Sequence, residues 1–130
     1  MDTLEFKAGI GSVYAVVISD GHSKNVIACE LYADRETINA WRTLVLALKR
    51  HGKPTQILTN GSRQFTSHMF REYLKRKGVE HVIESPPIRE IEDFERTIRR
   101  EMPNDLWFMS LEQMQNEFDR AVERYNERLS

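Results

Sequence analysis

The sequence predicts a layered α/β domain, and two observations support that prediction. In the first third of the chain, apolar and β-branched residues alternate or run together between turn residues, which is typical of strands. From residue 34 onward, apolar residues recur at the spacing of helices, with two short β-rich runs between them. The predicted order of elements is therefore β-β-β-α-β-α-β-α-α.

Three strands are predicted at the start of the chain. Apolar and polar residues alternate over residues 4–7, before a turn rich in glycine. The segment 13–18 is almost entirely apolar, as in a central strand that is buried on both faces. Asp20-Gly21 favours a hairpin turn, and the third strand is predicted at 25–32. Direct connection of these strands predicts an antiparallel meander.

The next four elements are predicted from caps and helical spacing. Asp34 is a candidate N-cap for a first helix, which Gly52 ends. A short strand is predicted at 56–59, and Ser67 is the candidate N-cap of a second helix. A fifth strand is predicted at 79–83.

Two further helices complete the predicted order. The third helix has the buried stripe Ile91, Phe94 and Ile98, and Pro103 ends it. Ser110 forms a capping box with Gln113 at the start of the last helix. The predicted buried stripe of that helix is Leu111, Met114, Phe118, Val122 and Tyr125. The sequence has no internal repeat or linker, so we expect a single domain over residues 1–130.

Composition excludes several classes of protein. With 40% hydrophobic and 30% charged residues, the chain is neither a disordered tail nor a collagen-like repeat. Its longest apolar run is too short to span a bilayer, and its start lacks the pattern of a signal peptide. Cys29 is the single cysteine and has the context of a small buried residue. We expect a cytoplasmic protein that does not associate with membranes.

The charges are unevenly distributed along the chain. Residues 37–71 contain six Lys or Arg and no Asp or Glu, so this segment has a net charge of +6. The rest of the chain has 13 basic and 20 acidic residues, a net charge of −7. Such asymmetry can indicate a surface that binds nucleic acid, although ordinary solvated charges give the same pattern.

Three polar residues are placed to form a candidate site. Asp2 starts the first strand, Asn60 follows the fourth strand and Glu92 lies at the start of the third helix. If the first and fourth strands are neighbours, these residues converge at one end of the sheet. Oxygen ligands suit Mg²⁺ or Mn²⁺, and two such ions can stabilise the attacking and leaving oxygens of a phosphodiester. Taken singly, each acid could also be an ordinary solvated charge.

Other cofactors lack sequence support. The four histidines and one cysteine do not have the spacing of a zinc site. The sequence has no glycine-rich phosphate loop, so we expect no small-molecule cofactor.

Six segments also match motifs that occur together in one family. They lie at residues 2–6, 13–23, 52–65, 78–87, 91–101 and 125–128. The most specific is 52–65, which has a Gly-x-Pro stretch, a short strand, a Gly-Ser turn and Gln-Phe. In this order and spacing, the chain resembles the catalytic core of retroviral-type integrases and DDE transposases, which have a ribonuclease H-like fold.

The resemblance implies a fold, an activity and partners. The implied fold is a five-stranded mixed sheet in the order 3-2-1-4-5, with helices on both faces. The implied activity is metal-dependent cleavage and strand transfer of DNA, with catalytic residues at Asp2, position 60 and Glu92. Asp2 and Glu92 would bind Mg²⁺ or Mn²⁺, and DNA would be the partner.

The chain departs from the family pattern at the second acid. Asn60 stands where the family has Asp, and an alternative alignment places Thr59 there; neither residue is a carboxylate. Only 31 residues separate Asn60 from Glu92, fewer than is usual in the family, so Glu95 is a competing third acid. We prefer Glu92 because the residues after it fit the motif without a gap. We expect impaired metal binding, and the alternative is a non-catalytic module for DNA binding or self-association.

Large aromatic residues favour a homodimer. Trp41, Trp107 and Phe108 are candidates for the centre of an interface, where aromatic residues are enriched. The alternative is that all three complete the core of their own chain.

Overall fold

A computed structural model describes residues 1–20, 23–85 and 88–129. The strands are β1 (Asp2–Ala8), β2 (Gly11–Ser19), β3 (Val26–Tyr32), β4 (Gln56–Thr59) and β5 (Glu80–Ile83). The helices are α1 (Thr37–His51), α2 (Arg63–Thr66), α3 (His68–Lys77), α4 (Arg89–Glu101) and α5 (Leu111–Leu129), with a 3-10 helix at Asn104–Phe108. The predicted order is confirmed. α2 and the 3-10 helix are not in the predicted order, because four or five residues are too few for a periodic pattern.

Two predicted turns fall on residues outside this description. The hairpin turn at Asp20-Gly21 includes residue 21, and the family loop after Ser85 includes residues 86 and 87. The strands that flank the hairpin turn pair as expected, since β2 and β3 are antiparallel.

The strands form two sheets, which corrects the prediction of one five-stranded sheet. β2 lies between β1 and β3 in an antiparallel sheet, and β4 pairs with β5 in a parallel sheet. The partial orders 3-2-1 and 4-5 are therefore as predicted. In the described residues, the amino group of Met1 donates a hydrogen bond of 2.5 Å to the Leu58 carbonyl. β4 ends one residue later, at Thr59, so β1 and β4 overlap too briefly for a regular ladder.

Helices cover both faces of the antiparallel sheet, as predicted. From β2, Val13, Ala15 and Val17 pack into a core with α4 and α5. Val16 and Ile18 pack into a second core with α1 and α3. The central strand is therefore buried on both faces, which explains its nearly continuous apolar sequence.

Most of the predicted helix ends are confirmed. Ser67 caps α3 by accepting a hydrogen bond from the Phe70 amide, and Gly78 ends that helix with a left-handed φ of 71°. Ser110 and Gln113 form the predicted capping box, with hydrogen bonds of 2.9 and 3.1 Å.

The start of the first helix differs from the prediction. The N-cap of α1 is Glu36, two residues after Asp34, and it makes no side-chain cap. The Asp34 carboxylate instead accepts hydrogen bonds from the Glu36 amide and the Asn39 side chain. Asp34 thus stabilises a turn before the helix, as Asp side chains often do.

The β1–β2 turn packs closely against the 3-10 helix. The Gly9 amide donates to the Trp107 carbonyl at 2.8 Å, and a Cβ at Gly9 would lie 2.7 Å from that oxygen. Only glycine fits at this position. Trp107 and Phe108 are 51% and 84% exposed, so they do not complete the core, whereas Trp41 is half-buried against Tyr73.

Two further expectations concern burial. Cys29 is buried, as expected, and burial raises the pKa of its thiol. Among the residues that the structure describes, no helix combines the length and apolar character needed to cross a membrane.

Candidate active site

Asp2 and Asn60 are in direct contact although 58 residues separate them. The Asn60 side chain donates from Nδ2 to Oδ1 of Asp2 at 2.9 Å. The Thr3 amide donates to the same Oδ1 at 2.8 Å. The start of β1 and the end of β4 thus meet at this point, as the sequence predicted for neighbouring strands.

The alternation of β4 decides which residue reaches Asp2. Ile57 is buried in the core with α1 and α3, and Thr59 lies on the same face of the strand. The Thr59 hydroxyl donates to the Asn60 carbonyl at 2.9 Å and lies 2.7 Å from Nε2 of His81. Thr59 therefore contacts His81, and Asn60 is the residue beside Asp2.

His81 is an additional residue next to the site that sequence reasoning missed. Burial, followed by the positive charges of Arg71 and the chain's amino group, lowers the pKa of its imidazole. Its ring packs edge-on against Phe70, with centroids 5.6 Å apart. No local sequence signal pairs His81 with Thr59, because the contact depends on the parallel pairing of β4 with β5.

The turn after Asn60 is fixed at both ends. The Ser62 amide donates to Oδ1 of Asn60 at 2.9 Å. Two residues later, Gln64 is buried and its Oε1 accepts a hydrogen bond from the Thr3 hydroxyl. Phe65 is fully buried against Phe70. These contacts give the Gln-Phe motif a structural role, since they attach the turn to β1 and to the core.

The two candidate acids of α4 have different surroundings. Glu92 forms an ion pair with Arg96 at 3.8 Å, and its side chain is 44% exposed. Glu95 pairs with Arg99 at 2.8 Å, and Arg99 also donates to the main-chain carbonyl of Glu5 in β1. The Glu95–Arg99 pair therefore faces β1. Glu92 and Arg96 have the same four-residue spacing, so the sequence alone could not distinguish the two acids.

The environment of Asp2 disfavours its ionised form. Burial is the largest cause that raises the pKa of this carboxyl, and the negative charge of Glu95 raises it further. The hydrogen bonds from Thr3 and Asn60 and the charge of the amino group at Met1 lower the pKa, but they do not cancel the effect of burial. Glu95, unlike Glu92, is therefore among the charges that act on Asp2.

The donor set does not fit a pair of divalent cations. Within the described residues, no group of three His, Cys, Asp or Glu side chains is placed to hold a metal ion. Oδ1 of Asp2 already accepts two hydrogen bonds, and Oδ1 of Asn60 accepts one from Ser62. Mg²⁺ is usually bound through carboxylates, whereas among the described residues the side chain bonded to Asp2 is the neutral amide of Asn60.

The motif near the chain's end has structural contacts. Tyr125 donates to Asp93 of α4 at 2.8 Å, and this bond, after burial, raises the pKa of Tyr125 to about 12. Asn126 makes two hydrogen bonds to the main chain of Val26, and Arg128 pairs with Glu101. The motif attaches α5 to α4 and β3.

Comparison with solved structures identifies the fold. The chain is similar to the HTLV-2 integrase catalytic core domain in complex with magnesium, in its trimeric form, with 18% identity and a TM-score of 0.70 over 95% of this chain and 77% of that chain. It is also similar to the simian T-cell lymphotropic virus intasome in complex with the PP2A regulatory subunit B56 gamma, with 16% identity and a TM-score of 0.72 over 93% of this chain and 45% of that one. The BIV integrase core gives 10% identity and a TM-score of 0.57, covering 81% of this chain and 74% of that chain.

Comparison of sequences gives the family. A search of curated protein sequences yields no significant match. The model of the family described as the integrase core domain matches residues 1–87, which include Asp2 and Asn60 but not α4. Because this match takes in more than half of the chain, the protein belongs to the integrase core domain family, and its fold is the ribonuclease H-like fold of integrase catalytic cores.

Proposed function

We propose that residues 1–130 form a single core domain for DNA integration, in which Asn60 impairs metal-dependent phosphodiester cleavage and strand transfer. One observation carries the proposal: the Asn60 side chain directs an NH₂ group, a hydrogen-bond donor, at Asp2. A divalent cation bound between these residues would need an acceptor oxygen there. The neutral amide also removes one negative charge from a site that must neutralise two cations.

We further propose Glu95, in place of the preferred Glu92, as the third acid of the site. The charge of Glu95 raises the pKa of Asp2, whereas Glu92 forms an ion pair with Arg96 on the surface of α4. Arg99 holds Glu95 on the side of α4 that faces β1. The role of either acid stays a prediction until metal binding is measured.

We propose DNA as the partner, and Mg²⁺ or Mn²⁺ as the ions whose binding Asn60 weakens. Structures of relatives are described as a core in complex with magnesium and as an intasome, which supports both partners for this fold. The acid-free segment 37–71 runs through α1 and β4 into α3, and it includes Arg63 directly after the Asn60 turn. Its positive charge would favour a phosphate backbone near the site. A cytoplasmic location stays a prediction.

The substitution Asn60→Asp tests the proposal directly. It restores a carboxylate of nearly the same volume beside Asp2, so Mn²⁺ affinity should rise by about tenfold or more. Calorimetric titration of Mn²⁺ into both proteins measures the change. Asn116→Asp, on the exposed face of α5, is the matched control and should bind no more Mn²⁺ than the parent.

Two results would contradict the proposal. If the Asn60 protein already binds two Mn²⁺ ions and cleaves DNA, then Asn60 does not impair the site. If Asn60→Asp gains no affinity, the absence of a carboxylate at position 60 is not the principal defect. If Asn60→Asp does gain affinity, adding Glu95→Gln or Glu92→Gln to it identifies the third acid, because only the loss of that acid should weaken Mn²⁺ binding.

A second candidate function, self-association, has one specific observation in its favour. Phe108 is 84% exposed and Trp107 is 51% exposed in the 3-10 helix, which packs against the tip of the β1–β2 hairpin. Exposed aromatic side chains of this size often lie at interfaces. If this surface forms the dimer, Phe108→Ser should shift light-scattering mass from dimer to monomer, while Met69→Ser should not. A monomer of 15.3 kDa at all concentrations excludes the homodimer.

A further inference from the structure

Asn60 is followed by Gly61, and this is the single Asn-Gly pair in the sequence. In an Asn-Gly pair, the main-chain nitrogen of glycine can attack the side-chain carbonyl carbon of asparagine. The reaction is favoured at glycine because no Cβ hinders the approach and the backbone is free to rotate. The sequence therefore puts its most reactive asparagine at the position of the missing acid.

The local geometry leaves the reacting atoms available. Gly61 is exposed to solvent and Asn60 is half-buried, so water reaches the pair. Among the described residues, no hydrogen bond engages the Gly61 amide, which is the attacking nitrogen. The Ser62 amide donates to Oδ1 of Asn60 at 2.9 Å and so polarises the carbonyl that is attacked.

Every other asparagine in the sequence is followed by a residue with a Cβ, and Asn39 and Asn126 are also held in α1 and α5. Asn39 is buried in the first turn of α1, where its side chain donates to Asp34. Asn126 lies inside α5 and its side chain bridges to both main-chain groups of Val26. Each is followed by a residue with a Cβ, and its main chain is held in a helix. Asn60 should therefore react first.

We propose that Asn60 is a site of spontaneous deamidation, which converts it to aspartate and returns a carboxylate beside Asp2. The Gly61 nitrogen forms a bond to Cγ of Asn60 and loses its proton to water. The bond from Cγ to Nδ2 breaks, and Nδ2 takes a proton from water and leaves as ammonia. Water then opens the cyclic imide, so that the net reaction consumes one water and releases one ammonia.

The two products of ring opening have different consequences. Opening at the main-chain carbonyl carbon gives isoaspartate, which inserts a carbon into the main chain and displaces the carboxylate. Opening at the side-chain carbonyl carbon gives aspartate in the place of Asn60, where the carboxylate faces Asp2. The functional gain from aspartate rests on the proposed function; the deamidation itself does not.

The experiment ages the purified protein in mildly alkaline buffer and follows each asparagine by peptide mass spectrometry. We expect the mass gain of an amide-to-acid conversion first and mainly at Asn60. Mn²⁺ affinity, measured on the same samples, should rise in proportion to the aspartate fraction. Gly61→Ala is the matched variant: a Cβ there would meet only Cγ2 of Ile83, at 3.8 Å, which is ordinary contact. It should keep the fold and lose the conversion.

Each outcome decides one of the two proposals. If Asn60 converts no faster than the other asparagines, or as fast in Gly61→Ala, then the deamidation proposal is wrong. Asn60→Gln provides a second variant, since glutamine would need a larger ring and should stay unconverted. If Asn60 converts but neither the aged protein nor Asn60→Asp gains Mn²⁺ affinity, the deamidation stands and the proposed function fails.

Discussion

The two outer edges of the antiparallel sheet are closed in different ways. At the β3 edge, neutral amide side chains of α5 satisfy the main chain: Asn126 bonds to both groups of Val26, and Gln115 bonds to Leu31 and Cys29. At the β1 edge, the contacts to β4 and α2 come from the first three residues, and one of them is an acid with a raised pKa. The main-chain groups of the β3 edge are therefore hydrogen-bonded to α5, whereas the β1 edge contains the Asp2 carboxyl, whose ionised form is disfavoured by burial.

This difference agrees with the proposed location of the site at the β1 edge. Unpaired main-chain groups on an edge strand can pair with another chain and cause aggregation. Four hydrogen bonds of 2.8–2.9 Å from α5 satisfy such groups on β3. The β1 edge cannot be closed in this way without covering Asp2. Functional sites commonly retain such locally unfavourable arrangements, and the surrounding structure compensates for them.

The largest effect should come from opening the β3 edge. The double variant Gln115→Ala, Asn126→Ala leaves four main-chain groups of β3 without their partners, which should lower the free energy of unfolding by about 2–4 kcal/mol. Urea denaturation measures the loss, and hydrogen exchange should increase at Val26 and Leu31. The control Glu127→Ala, exposed on α5, should change stability by less than about 0.5 kcal/mol. Equal losses in both proteins would show that the amides do not close the edge.

A smaller effect of opposite sign is expected at Asp2. The pKa of the Asp2 carboxyl is higher in the folded protein than in the unfolded chain, where it has its ordinary value of 3.8. Protonation of Asp2 therefore stabilises the fold, and this contribution is complete at pH values below 3.8. That contribution is lost as the pH rises through the folded-state pKa, so ionised Asp2 destabilises the protein at neutral pH. Asp2→Asn should therefore raise the free energy of unfolding at pH 7, by an amount that solvent screening of this partly exposed group reduces.

The pH dependence distinguishes this explanation from a general gain in packing. The advantage of Asp2→Asn should shrink as the pH is lowered toward 3.8, where the native Asp2 becomes protonated. Glu5→Gln is the control on the same strand, because hydrogen bonds from Lys7 and Ser12 lower the pKa of Glu5. It should not stabilise the protein at neutral pH. A gain at Asp2→Asn that is independent of pH would contradict the role of ionisation.

The smallest effect is expected for the contact that joins β1 to α2. Thr3→Val removes the hydroxyl that donates to Gln64, and Gln64 then keeps a buried oxygen without this donor. The expected loss is about 0.5–1.5 kcal/mol in thermal or urea unfolding. Thr3→Ser keeps the hydroxyl and should recover most of it. If Thr3→Val lowers the free energy of unfolding as much as the double β3 variant does, the contacts of the β1 edge contribute as much stability as those of the β3 edge, which contradicts the comparison.

The sequence predicted those parts of the fold that local patterns determine. The apolar run of β2 indicated burial on both faces, and the spacing of Ser110 and Gln113 indicated a capping box. The division into two sheets could not be predicted, since it depends on how far β1 and β4 overlap in space. The prediction of Asp34 as the N-cap of α1 was wrong, because a short acidic side chain can accept main-chain hydrogen bonds either in a turn or at a helix N-cap. In this structure Asp34 accepts the Glu36 amide within a turn.

For the candidate site, chain order placed Asp2 and Asn60 together but could not select the acid of α4. Asp2 and Asn60 were expected to lie close together because the first and fourth strands were expected to be adjacent. The hydrogen bond between the two side chains agrees with that expectation. Glu92 and Glu95 lie less than one helical turn apart, so a small rotation of α4 exchanges their environments. Contacts that cross between elements, such as Arg99 with the main chain of Glu5, determine that rotation.

The hydrogen bonds between α5 and β3 also determine when the sheet becomes protected during synthesis. They join residues 84–100 positions apart, so the ribosome must make nearly the whole chain before Asn126 and Gln115 can reach β3. Until then, an emerging chain holds a three-stranded sheet whose outer edge can pair with another nascent copy. Helix α5 can therefore cover the β3 edge only after residues 115–126 have been synthesised. Slow or stalled translation before residue 115 should expose the chain to aggregation through β3.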